Sequence, residues 1–303
     1  MLTGARRGRS RPRRRPPLAA LGAVLGLAAA ATLGACVRQP GAPVRDLSYV
    51  RRWWILIGAS YALDALDWRA PGRDAQMVVL TGDPRERLGE LPEGTVRLGY
   101  LSVGEADRNR READGVRGQG FLVEPNPDWP DNVRVDIRDP RWQELLLERE
   151  VPRLLARGFD GLMLDTIDSA PYLEAKDRAR FRGSREALRH WLGRLRARFP
   201  HAVVIANATL ALPDAAPYVD GFVVEGLFAT YDFGLRRYRA TTGTEQAWKL
   251  AQIERARRIA PRPVFTIEYA DVGDVALGSW AEAESARYGF HPYVTVKDLN
   301  ALP

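Results

Sequence analysis

Short apolar runs alternate with helix-spaced segments along residues 51–303. The runs are W-W-I-L-I-G (53–58), Q-M-V-V-L-T-G (76–82), V-R-L-G-Y-L-S-V-G-E (96–105) and G-L-M-L-D (161–165). Four more follow: A-V-V-I-A-N (202–207), G-F-V-V-E (221–225), P-V-F-T-I-E-Y (263–269) and F-H-P-Y-V-T (290–295). Each is short and bounded by turn residues, as buried strands are. Between them the apolar spacing becomes helical. In 140–157, Leu146, Leu147, Val151, Leu154 and Leu155 fall on one helix face. Asp139-Pro140 supplies an N-cap and a first-turn proline, and Pro152 predicts a kink or a later start. Further helices are expected over about 174–198, 244–259 and 280–287. Eight strands alternating with helices in about 250 residues predict an α/β fold, a (β/α)8 TIM barrel. The helices on either side of the second strand are weakly marked, so an open doubly wound sheet is the alternative. No glycine-rich dinucleotide loop follows the first strand, which counts against it.

The amino terminus changes how the composition is read. Of the 303 residues, 46% are hydrophobic and 27% charged, a globular balance. Residues 1–17 carry seven arginines and no acid, and Leu18 to Ala35 are apolar or small, with Thr32 the one hydroxyl. A basic start followed by such a core is a secretory signal. It ends in L-G-A-C, which resembles the bacterial lipobox and implies lipid on Cys36, the single cysteine in the chain. A plain signal peptide or an anchor helix is the alternative, because the run approaches spanning length. The expected organisation is a lipoprotein signal (1–35), a lipid-attached tether (36–50) and one barrel domain (51–303). The destination is then export, with attachment to a bacterial membrane in the cell envelope.

The net charge of +7 equals the seven signal arginines, leaving 38 basic and 38 acidic residues beyond. The high pI is therefore no sign of nucleic-acid binding. One cysteine permits no internal disulfide, and His190, His201 and His291 have no metal-ligand spacing. No metal or cofactor is expected.

In a (β/α)8 barrel, reactive groups come from the carboxyl ends of the strands. Those ends carry Tyr100, Ser102 and Glu105 on the third strand and Asp165 and Asp168 on the fourth. The fifth gives Asn207, the sixth Glu225, and the seventh Glu268, Tyr269 and Asp271, while Tyr61 follows the first. No histidine accompanies a G-x-S-x-G motif, and no phosphate-binding loop is present. Paired carboxylates without a metal remain, the machinery of glycoside hydrolysis. Tyr61, Tyr100, Ser102, Glu105, Asp168, Asn207, Glu268 and Tyr269 are the candidates for contacting a sugar polymer. Trp129, in a loop, is a candidate platform.

Two acids stand out as the catalytic pair. F-D-G-L-M-L-D ends in Asp165 and V-D-G-F-V-V-E ends in Glu225, which suggests matched strands presenting both acids at one height. Next-but-one strands lie about 10 Å apart, and inward side chains close that to the roughly 5–5.5 Å of a retaining pair. An inverting separation also fits. The alternative readings are a buried acid satisfied by amides or an arginine for Asp165, and a structural ion pair for Glu225.

At these residues the chain resembles glycoside hydrolase family 114, TIM-barrel enzymes that include endo-α-1,4-polygalactosaminidases. The similar stretches are Y-L-S-V-G-E-A-D (100–107), N-P-D-W-P-D-N (126–132), D-P-R-W (139–142), G-F-D-G-L-M-L-D-T-I-D-S (158–169) and P-Y-V-T (292–295). The resemblance implies Asp165 as nucleophile and Glu225 as general acid/base. It also implies an α-linked, amino-sugar-rich polysaccharide as substrate, for which an acidic rim of Glu105, Asp168, Glu268 and Asp271 would be electrostatically suited. A lipoprotein that binds such a polymer without cleaving it is the competing function.

Overall fold

The computed structural model describes residues 45–58, 74–110, 115–116 and 118–300. Cys36, Tyr61, the signal and the first part of the tether lie outside the described residues.

In chain order the strands are β1 (Trp53–Leu56), β2 (Met77–Leu80), β3 (Val96–Ser102), β4 (Glu105–Asp107), β5 (Leu122–Pro125), β6 (Asn132–Val135) and β7 (Gly161–Asp165). Then come β8 (Val203–Asn207), β9 (Gly221–Glu225), β10 (Ala229–Asp232), β11 (Arg237–Ala240), β12 (Val264–Tyr269) and β13 (His291–Thr295). Eight of them form one sheet in the order β1-β2-β3-β7-β8-β9-β12-β13. Every pairing within it is parallel. With helices in most of the described connections between these strands, this is the (β/α)8 barrel, not the open sheet. The seam from β13 to β1 is joined by other means. Trp53 Nε1 donates to His291 O at 2.9 Å. The Ile57 and Gly58 amides both donate to Leu299 O at 3.0 Å.

Alternation sends every second residue inward. Trp53, Phe265 and Tyr293 meet inside the lower barrel, with ring centroids 5.5 and 5.7 Å from Trp53. Met163, Ile205, Val223 and Ile267 are fully buried above them. Each such side chain stabilises the fold by about 1.5–3 kcal/mol. Outside the sheet, Trp142 is fully buried and donates Nε1 to Val103 O at 2.8 Å. That bond fixes the chain just past β3.

The helix expected over 280–287 begins earlier, at Val275, and two other helical segments differ from the sequence expectation. The stretch 140–157 begins at Pro140, widens to a π-helix over Leu145–Glu150 and resumes as Val151–Ala156. Pro152 has no N–H to donate, and its ring crowds the carbonyl four residues back, so the preceding turn opens to i→i+5 bonding. The segment expected as one helix over 174–198 is three: Ser169–Lys176, Arg178–Phe181 and Ser184–Arg198. Asp177 caps the middle one, and Gly183, at φ +88°, turns the chain into the last.

Two insertions crown the carboxyl rim. Strands β4, β6 and β5 make a small antiparallel sheet after β3. Strands β10 and β11 form a hairpin after β9.

Candidate active site

Asp165 and Glu225 end β7 and β9, and both are partly exposed at the barrel mouth. The residue after each acid is left-handed: Thr166 at φ +60° and Gly226 at φ +56°. A Cβ on Gly226 would meet Thr230 Oγ1 at 2.7 Å, so glycine is required there. Thr166 has no such exemption; a β-branched residue in this region costs about 1–3 kcal/mol. Hydrogen bonds hold it. Its Oγ1 donates to Asp165 O at 2.7 Å and accepts from the Gly104 amide at 2.9 Å. Gly104 must also be glycine, because a Cβ would lie 2.1 Å from Thr166 O.

The strand starts match as well. Asp160 accepts the Arg97 amide of β3 at 2.9 Å, and Asp220 accepts the Val204 amide of β8 at 3.0 Å. The two D-G pairs thus tie each strand to its preceding neighbour. The acids are not at one height, however. Leu164 pairs with Ala206 and Asn207 with Val223, so Glu225 lies two residues further along than the level of Asp165. The stagger is the shear that closes a barrel.

The side chains correct for that offset. Asn207 Nδ2 donates to Asp165 Oδ1 at 2.9 Å and also to Glu225 Oε1. Tyr100 OH donates to Asp165 Oδ2 at 2.5 Å, and Tyr269 OH donates to Glu225 Oε2 at 2.6 Å. The order is Tyr100, Asp165, Asn207, Glu225, Tyr269. The two tyrosines and the asparagine are buried, while the acids remain reachable. Two acceptors of one nitrogen are separated by no more than about 6 Å, the sum of two hydrogen-bond lengths.

Burial, and then the charge of Glu225, push the Asp165 carboxyl up to about 7, against the pull of the Tyr100 bond. The pair therefore retains one proton near neutrality. Burial and the Glu225 charge also raise the Tyr269 phenol well above its ordinary value, keeping it a donor.

The remaining candidates divide. Asp168 sits just before the helix Ser169–Lys176, and burial with the Glu105 charge raises it to about 6. Ser102 is buried and spends its hydroxyl on Glu105 O at 2.8 Å. Glu105 is buried and anchors the rim insertion. It accepts from Asn132 Nδ2 at 3.0 Å, Asn126 Nδ2 at 3.1 Å and Ser169 Oγ at 3.2 Å, with Arg134 Nε at 3.6 Å. Both are committed to protein partners and are not presented to a sugar. Glu268 also departs from its expected role. It is fully buried on the opposite face of β12 from Tyr269, where Oε2 accepts the Phe228 and Ala229 amides at 2.9 Å each. Burial raises it to about 7. The expected acidic rim of Glu105, Asp168, Glu268 and Asp271 thus loses Glu105 and Glu268.

Other residues emerge that sequence reasoning passed over. Thr166 carries no sequence mark of a left-handed conformation. Lys249, inside the helix Gly243–Ile259, donates Nζ to Glu225 O at 2.8 Å and Gly226 O at 2.6 Å, holding the end of β9. Arg110 stacks its guanidinium 4.3 Å from the Tyr100 ring centre. Trp129, the platform candidate of the sequence, was not passed over: it is 41% exposed and packs edge-on against Phe233 of the β10–β11 turn, with Lys297 Nζ 5.8 Å from its ring. Loops following β3, β9 and β13 therefore meet at Trp129.

The sequence model of glycoside-hydrolase family GH114 matches residues 74–302. The chain belongs to this family. Its barrel is accordingly that of a glycoside hydrolase. An uncharacterized protein of Deinococcus radiodurans is 30% identical over 226 residues, spanning 72% of this chain and 70% of that protein. Among solved structures, the glycoside hydrolase domain of PelA from Pseudomonas aeruginosa superposes with a TM-score of 0.66 at 24% identity, covering 84% of this chain and 97% of that one. Aspergillus fumigatus Ega3, solved in complex with galactosamine, gives 0.58 at 16% identity, over 82% of this chain and 92% of Ega3. Both likenesses concern the fold.

Proposed function

We propose that this GH114 member is an exported endo-acting hydrolase of an α-linked, amino-sugar-rich polysaccharide, working by a retaining two-carboxylate mechanism. The observation that carries it is the pair Asp165 and Glu225 held about one Asn207 amide at the mouth of the barrel. The two oxygens that share this amide lie within about 6 Å of each other, which supports the roughly 5–5.5 Å carboxyl spacing of a retaining enzyme. The galactosamine bound in the Ega3 structure supports the sugar class.

In this mechanism Asp165 attacks the anomeric carbon. As the glycosidic C–O bond breaks, Glu225 gives its proton to the departing oxygen. Water then attacks the glycosyl–Asp165 ester, Glu225 takes back a proton, and the carboxylate of Asp165 is released. Tyr100 and Asn207 both donate to Asp165 and stabilise it as the leaving anion. Tyr269 orients Glu225. The L-G-A-C end of the leader supports attachment through lipid on Cys36, with the domain in the cell envelope.

The test is incubation with partly deacetylated α-1,4-galactosaminoglycan, followed by mass spectrometry of the products. Wild type should release oligosaccharides, and Asp165→Asn and Glu225→Gln should not. Azide should restore turnover in the nucleophile variant through a glycosyl azide. Binding without cleavage by wild type would leave a polysaccharide-binding protein. Loss of labelled fatty acid from Cys36→Ala tests the anchor.

A further inference from the structure

A cavity of about 710 Å³ opens at the far end of the barrel from Asp165 and Glu225, among the strand starts. Its lining is basic: Arg45, Arg51, Arg257, Arg262 and His291, against two acids, Asp46 and Asp220. One of the two acids is neutralised by arginines, and the other bonds a backbone amide. Asp220 is fully buried at its side chain and bonds Arg45 Nε at 3.0 Å, Arg196 Nη2 at 2.9 Å and the Val204 amide at 3.0 Å. Asp46 accepts the Ser48 amide at 2.8 Å.

Three arginines are left over. Arg51 donates to the backbone carbonyls of Ser48 and Val50. Arg257 and Arg262 have no carboxylate partner among the described residues, and Arg262 Nε is buried with no hydrogen-bond partner at all. A buried, unpartnered guanidinium N–H is costly, typically by about 1–3 kcal/mol or more. The positive field is felt by its neighbour: burial and then the Arg51 charge lower the His291 imidazole below its ordinary value.

We infer that this floor pocket is an anion site, taking a phosphate group between the guanidinium forks of Arg51, Arg257 and Arg262. Guanidinium geometry matches phosphate oxygens in pairs, where an ammonium offers a point charge. The cavity is larger than phosphate alone needs, so the group that bears the phosphate fits with it. A glycerophospholipid headgroup and a soluble phosphorylated molecule share this chemistry. The headgroup source rests on the lipid proposed for Cys36. Arg45, on the pocket's edge, lies nine residues after Cys36, a connection of at most about 30 Å. Headgroups would then be within reach of the floor, with the carboxylate rim on the opposite end.

The experiment uses the full chain in detergent, wild type against Arg257→Gln/Arg262→Gln, with Arg257→Gln alone as a second variant at an exposed position. Melting in phosphate-free buffer establishes that each is folded. Titration calorimetry with inorganic phosphate and with glycerol phosphate should show binding to wild type, weakened about tenfold or more in the double variant. Flotation then compares phosphatidylcholine vesicles with and without phosphatidylglycerol. The seven leader arginines, where the leader is retained, are common to every variant, so the readout is the difference between wild type and the double variant. A difference on phosphatidylglycerol vesicles identifies a headgroup. Phosphate binding without that difference identifies a soluble phosphorylated ligand. Folded wild type and variants that show equal or no binding in both arms would overturn the site.

Discussion

Asn207 Nδ2 lies 2.9 Å from Asp165 Oδ1 and donates its other hydrogen to Glu225. A neutral amide thus separates two carboxylates that would otherwise face each other. Asn207→Asp places a third acid there. We expect kcat/KM to fall by about 100-fold or more, because one lost charge-stabilising donor is worth that much in a dry site. The variant should also melt lower than wild type at pH 8 and recover at pH 5, where Asp165 holds its proton. Thermal melts at both pH values, with initial rates, check this.

Tyr100 donates to Asp165 at 2.5 Å and so favours its ionised form. Asp165 is raised to about 7 in spite of that bond. The activity of wild type should therefore decline above about pH 7, as the pair loses the proton that Glu225 must deliver. Tyr100→Phe removes the donor, and the pair holds its proton longer. The alkaline limb of kcat/KM should move upward, with kcat lower by about tenfold. A limb that stays in place would separate Tyr100 from the pair's titration.

Glu268 offers a prediction about stability alone. Burial raises it from an ordinary 4.5 to about 7. Between those values the unfolded chain has released the proton and the folded chain still binds it, so stability falls as pH rises through this window. Above about 7 the loss is complete, on the order of 3 kcal/mol. Glu268→Gln keeps an oxygen for the Phe228 and Ala229 amides and carries no charge. The variant should match wild type near pH 4.5 and exceed it at pH 8, by chemical denaturation. Greater stability of wild type at pH 8 would contradict the assignment.

Much of this was legible in the sequence, and the exceptions have physical causes. The barrel was readable because its strands are short apolar runs ending in polar residues, G-L-M-L-D being the plainest. Side-chain direction was harder. Glu268 and Tyr269 were read together as rim residues, yet neighbours in a strand face opposite sides, and only Tyr269 faces the mouth. Glu105 follows β3 but opens β4, where a second sheet claims its carboxylate. Thr166 was invisible, since its left-handed backbone is set by Gly104 and the Asp165 carbonyl and not by its own preference. The height offset between Asp165 and Glu225 depends on barrel shear, which no single strand records.

Trp129 tests whether the rim insertions contact a long polymer. Its ring is 41% exposed and packs against Phe233 of the second insertion. Trp129→Ala should raise KM for a polymer several-fold, equivalent to roughly 1 kcal/mol of aromatic contact. The KM for a minimal chromogenic glycoside should stay the same, and the melting temperature should barely move.

Leu299 O receives the Ile57 and Gly58 amides, so the last turn of the chain staples the first strand of the cylinder to the last. Expression vectors should respect that clasp. A cut or fusion junction placed before Leu299 would unzip the stave joint, and a purification handle belongs beyond Asn300. For the same reason, limited digestion from the carboxyl end is a simple laboratory gauge of whether the cylinder is shut.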